Sequence, residues 1–83
     1  MSRMSARFIA QQLIGFTTKD VYEMWNDMGI VKKDKFGDWV LTELGRALGG
    51  RASKGSHPVP TFKADEIIDK MIEFYNKNHK LGG

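Results

Sequence analysis

Eighty-three residues, 9.4 kDa, supply one small domain, which at this size hides about 60–65% of its unfolded surface. A hydrophobic content of 41% is too high for a disordered chain, the lack of cysteine excludes disulfide frameworks and Cys-based zinc fingers, and no apolar run is long enough to span a bilayer. The net charge of +3 and the pI of about 9.3 favour an anionic partner.

In chain order, Met1 to Ser5 has no hydrophobic region and is not a secretory signal, which fits a cytoplasmic protein. Ser5 can cap a first helix reaching about Ile14, with Phe8, Ile9, Gln12 and Leu13 along one side and Gly15 as its breaker. Thr17 or Thr18 caps a second helix, and Asp20 suits its positive end. Val21, Trp25 and Met28 form its apolar stripe, widened by Tyr22 and Met24, and Gly29 stops it in the left-handed conformation.

The period then changes. Ile30 to Lys33 reads as a strand, Asp34 to Asp38 as a turn, and Trp39-Val40-Leu41 as a second strand, which together make a hairpin. Thr42 caps a short helix, Glu43 to Leu48, ending at Gly49-Gly50. Residues 49–58 form a loose basic loop, and Val59 to Phe62 is expected to return as an edge strand, because proline is tolerated at edges. The last helix runs from Ala64 to about Asn78, with Ile67, Ile68, Met71, Ile72 and Tyr75 as its buried stripe and Phe74 beside it. Leu81-Gly82-Gly83 resembles a ubiquitin-type tail only superficially, since a helix precedes it, and reads as a frayed end.

The expected fold is α+β and mainly helical: a winged helix-turn-helix followed by a long C-terminal helix, in one domain with its core over residues 5–78. Trp25, Trp39, Phe8, Phe62 and Tyr75 are expected to build the core, with Trp39 half exposed. Phe36, at the turn, is expected to face solvent.

Charge is unevenly spread. Residues 1–31 balance three cations against three carboxylates, residues 32–63 hold seven cations against three (+4), and residues 64–83 hold three against four (−1). The whole excess falls on the hairpin, short helix and loop. There Lys32, Lys33, Lys35, Arg46, Arg51 and Lys54 are candidates for phosphate contacts. A simply solvated basic loop weighs equally. On the second helix Lys19 and Asn26 are candidate base readers, but Asp20, Glu23 and Asp27 share that helix and repel phosphates. The acidic second helix, the methionine and aromatic content and the small size suit a second reading, a protein-binding module that inhibits or redirects an enzyme or defence complex of a host. The apolar stripe of the last helix also suits a homodimer.

No catalytic, metal or cofactor site is expected. His57 and His79 have no partner at metal-ligand spacing, and Asp34 with Asp38 is too few for a calcium loop. Ser53, Ser56 and His57 lack an orienting acid and an oxyanion site, while Gly49, Gly50 and Gly55 form no phosphate-binding fingerprint.

The run SARFIAQQLIGFTTKDVYEMWNDMGIVKK, followed by DWVLTELGRALGG, resembles small phage-encoded winged-helix domains, in particular the C-terminal domain of KilA-type phage antirepressors. The shared features are Ile9-Ala10, the Gly15-Phe16-Thr17 turn, Met28-Gly29-Ile30-Val31, and Trp39-Val40-Leu41-Thr42 leading to Gly45, within residues 5–50. The resemblance implies a phage or prophage regulator that binds double-stranded DNA through its wing and recognition helix. The acidic second helix departs from that pattern.

Overall fold

The computed structural model describes residues 3–53 and 58–79, with side chains to residue 77. The order is β1 (Arg3–Ser5), α1 (Ala6–Gln12), α2 (Thr18–Met28), β2 (Val31–Lys33), β3 (Trp39–Leu41), α3 (Glu43–Ala47), β4 (Arg51–Ala52), β5 (Pro60–Lys63) and α4 (Ala64–His79). Two small antiparallel sheets accompany the four helices, one ordered β1-β5-β4 and the other the β2-β3 hairpin. Helices take only about half of the described residues and two small sheets accompany them, so the chain is α+β rather than mainly helical.

Local chemistry explains α2 and the hairpin. The Thr17 hydroxyl accepts the Asp20 N–H at 3.1 Å, and the Asp20 carboxylate accepts the Thr17 N–H at 3.0 Å, a reciprocal capping box. At the other end Gly29 adopts φ 81°, its N–H bonds to the Asn26 carbonyl, and the Ile30 N–H bonds to the Trp25 carbonyl. This is a Schellman stop, which glycine reaches without the Cβ penalty. In the turn, one Asp34 carboxylate oxygen accepts the N–H groups of Phe36 and Asp38 at 2.8 and 3.0 Å. That holds the turn closed and fixes the direction of Phe36. Thr42 then joins two elements, since its hydroxyl donates to the Gly29 carbonyl at 2.6 Å and accepts the Gly45 N–H at 3.1 Å.

The second sheet corrects two expectations. Residues 60–63 form the central strand and not an edge, because Arg3–Ser5 pairs with Thr61–Lys63 on one side and Arg51–Ala52 with Pro60–Thr61 on the other. Pro60 is accommodated because β1 ends opposite Thr61 and never reaches it. Toward β4, the Ser53 N–H bonds to the Val59 carbonyl, which makes the next pair, Ala52 with Pro60, a non-hydrogen-bonded one. The basic segment is likewise part strand, since Arg51 and Ala52 are in the ladder and residues 54–57 lie outside the described residues. Arg3 ties the sheet to the turn after α3: its guanidinium donates to the hydroxyl and carbonyl of Thr61 and to the carbonyl of Gly49.

The core joins Ile9, Val21, Trp25, Ile30, Val31, Leu41, Phe62, Ile67 and Met71. Trp25 is fully buried, packs edge-on to Phe62 with ring centroids 4.8 Å apart, and donates its indole N–H to the Met71 sulfur at 3.3 Å. In α1 the buried positions are Ala6, Ile9 and Ala10, with Leu13 half-buried, whereas Phe8 is exposed. Small alanines let α1 lie close to α2, and Phe8 falls on the outer side. On α4, Ile67 and Met71 are buried and Ile68 half-buried, but Ile72 and Tyr75 are exposed and not core as expected. No helix among the described residues is long and apolar enough to cross a membrane.

Candidate nucleic-acid interface

The hairpin carries three of the predicted cations. Val31 is the buried member of β2, while Lys32 and Lys33 are exposed. Strand alternation sends Lys32 and Lys33 to opposite faces of the hairpin. Lys33 lies opposite Trp39 in the ladder, with its Nζ 5.1 Å from the centre of the indole ring. The same ring stacks on Tyr22 of α2, 5.2 Å between centroids and 4° from parallel. Trp39 is half-buried as expected, held between a helix and a lysine. At the turn Phe36 is 77% exposed, with Lys35 Nζ 5.3 Å from its ring centre. A cation beside an exposed aromatic on a rigid turn can meet a phosphate and a base face together.

Arg46 and Arg51 form a second pair. Arg46 is in the last turn of α3 and Arg51 begins β4; both are exposed. Their chain neighbours Gly45 and Gly50 are bonded directly, Gly50 N–H to Gly45 carbonyl at 2.9 Å. Neither glycine has room for a Cβ: at Gly45 it would overlap the Ile30 carbonyl oxygen, and at Gly50 it would lie 2.7 Å from the Gly45 carbonyl oxygen. Gly45 thus permits the close approach of α3 to residue 30, and Gly50 the close approach of the chain leading into β4 to α3. Lys54, the sixth predicted phosphate contact, lies outside the described residues.

Lys19 and Asn26 are exposed on α2 and, seven residues apart, share one side of it. Asp20, Glu23 and Asp27 are exposed too, and Glu23 lies 4.0 Å from Lys19. A cation so shared, with two further carboxylates on its helix, is a poor phosphate ligand. Lys63 is similarly placed 3.8 Å from Glu66. The structure thus groups Lys32, Lys33 and Lys35 on the hairpin and Arg46 with Arg51 at the α3–β4 turn, and leaves Lys19 and Asn26 on an acidic helix.

Beside the hairpin, Tyr22, Trp39, Val40, Pro58 and Pro60 line an open cleft together with Asp34 and Asp38. Sequence reasoning missed this cleft because Pro58–Pro60 reaches Trp39 only through the β4–β5 sheet. Among the described residues no group of three or more His, Asp or Glu is placed to hold a metal ion. Ser53 is used structurally, its hydroxyl accepting the Val59 N–H at 3.0 Å. Ser56 and His57 lie outside the described residues. Compared with protein-family models, curated proteins and solved structures, the chain matches none.

Proposed function

We propose that the chain is a winged helix-turn-helix module that binds double-stranded DNA, with β2-β3 as the wing, as in phage-type regulators. The observation that carries this reading is the hairpin turn. Lys33, Lys35 and the exposed Phe36 sit on a backbone closed by Asp34, and Trp39, on the face that Lys33 shares, ties the hairpin to α2 by stacking on Tyr22. Arg46 and Arg51 add cations at the end of the segment that holds the whole positive excess. Affinity on this reading is mainly electrostatic, through phosphates, and base reading by α2 is weak because three carboxylates oppose it. A fluorescence-anisotropy titration with a mixed-sequence duplex tests it. Binding at micromolar concentration or tighter in about 50 mM salt, falling by about a hundredfold or more by 200 mM, supports the proposal. No binding at the lower salt overturns it.

A second reading, recognition of a host protein, draws on a different face of the molecule. That face is lined by apolar side chains and edged by carboxylates.

A further inference from the structure

A groove opens between the end of α1, α2 and α4, lined by Leu13, Phe16, Met24, Ile68, Ile72 and Tyr75, together with the buried Met71. All of its lining side chains are apolar or aromatic. An adjoining cleft shares Phe16, Met24 and Tyr75 and adds Asp20, Glu23 and Asp27. Apolar surface continues beyond the groove: Ile14, next to Leu13, is fully exposed, and Ile72 is half exposed. Exposed apolar groups clustered along one groove with a polar edge mark an interaction surface rather than scattered surface hydrophobes.

We propose that this groove docks an amphipathic helix carrying lysine or arginine beside its apolar face. Two observations identify the occupant. The first is the lining, where the Tyr75 hydroxyl is the one polar side-chain group, too little to meet an extended backbone. An occupant that satisfies its own N–H and C=O groups is therefore favoured, and that is a helix, with anchors at i, i+3/i+4 and i+7. The second is charge. The helices that wall the groove, α2 and α4, carry seven carboxylates (three and four) against three lysines, Lys19, Lys70 and Lys77. A cationic flank on the occupant complements Asp20, Glu23 and Asp27, whereas a second copy packed through its own α4 brings Asp69 and Glu73 against like charge. DNA is repelled from this face for the same reason, so it is separate from the hairpin surface.

The probe is a fluorescent Leu/Lys peptide of about five helical turns, compared with a Leu/Glu peptide of the same pattern. Titrated with the full chain, the Leu/Lys peptide is expected to bind at least tenfold more tightly. Ile72→Glu, and separately the exposed pair Glu23→Lys with Asp27→Lys, should each weaken it at least tenfold, whereas Lys33→Ala with Lys35→Ala leaves it unchanged. Amide shifts should appear at Leu13, Met24, Ile68 and Ile72. Should Ile72→Glu fail to fold, the charge-reversal pair decides. Equal affinity for the two peptides, or undiminished binding by the charge-reversal pair, overturns the proposal. So do shifts confined to the hairpin. A concentration-dependent dimer of the chain alone, abolished by Ile72→Glu, assigns the face to a second copy and overturns it as well.

Discussion

Tyr22 of the second helix and Trp39 of the hairpin stack face to face, with 5.2 Å between ring centroids and 4° between ring planes. Tyr22 also meets Trp25 edge-on at 5.7 Å, so the hairpin is coupled through one tyrosine to the fully buried core tryptophan. Tyr22→Ala should lower stability by about 2 kcal/mol, from lost aromatic contact plus area. Amide exchange should accelerate at Lys33 and Trp39 more than in α4. Thermal unfolding and hydrogen exchange measure the two effects.

The same residue gives a pH dependence. Burial pushes the Tyr22 phenol above its usual value of 10.0. The unfolded chain therefore loses this proton first. The contribution is fully present below pH 10 and is lost as pH rises through the raised value of the folded state. Tyr22→Phe cannot ionise, so the stability difference between wild type and Tyr22→Phe should shift against the wild type above pH 10. Denaturant unfolding at pH 9 and above measures it.

Trp25 and Met71 test the core. Met71→Leu keeps the volume but removes the sulfur that accepts the indole N–H. It should cost about 1–3 kcal/mol, the penalty of a buried donor without a partner. Trp25→Phe removes both the donor and part of the ring and should cost more, about 2–4 kcal/mol. Equilibrium unfolding of the two variants ranks them.

Much of the fold is legible in sequence where a signal is local. Thr17, Asp20 and Gly29 bound the second helix because caps act within one turn, and Asp34 and Gly37 mark the turn because a short polar side chain and a positive φ are needed there. β1 and β4 are not legible. Three and two residues are too few to show alternation, and β1 exists only through pairing with the distant β5, which sets Met4 opposite Phe62. Phe8 lies outside the core for a related reason. Helical spacing fixes a stripe but not which stripe faces inward, and Ala6 and Ala10 carry too little apolar surface to announce it. The charge excess of residues 32–63 is plain in sequence, but that Arg51 begins a strand is not, because β4 is too short to show a pattern.

The contact of Gly45 with the backbone of Ile30 makes it a sharp test of packing. Gly45→Ala places a Cβ on the Ile30 carbonyl oxygen and should cost about 2–4 kcal/mol, because backbone must move on both sides. Gly37→Ala, in open space at φ 83°, should cost only about 1 kcal/mol. Comparable losses in thermal melts of the two variants would contradict the close approach of α3 to residue 30.

Phe36 separates binding from stability. Exposed at the turn, it contributes little to the core, so Phe36→Ala should leave stability within about 0.5 kcal/mol. If its ring meets a base, nucleic-acid affinity should fall by about tenfold, the lower range for a lost aromatic stack. Melting curves and anisotropy titrations of the same preparation measure both.

The most direct measurement of the central claim is the salt dependence of duplex binding by wild type and by Lys33→Ala with Lys35→Ala. Both lysines are exposed on the hairpin, so the double variant should keep its fold. The account predicts weaker binding to every duplex tested and a slope of log affinity against log salt shallower by about 2, one counterion released per lost contact. Unchanged affinity and slope in the folded double variant would contradict a hairpin that binds DNA.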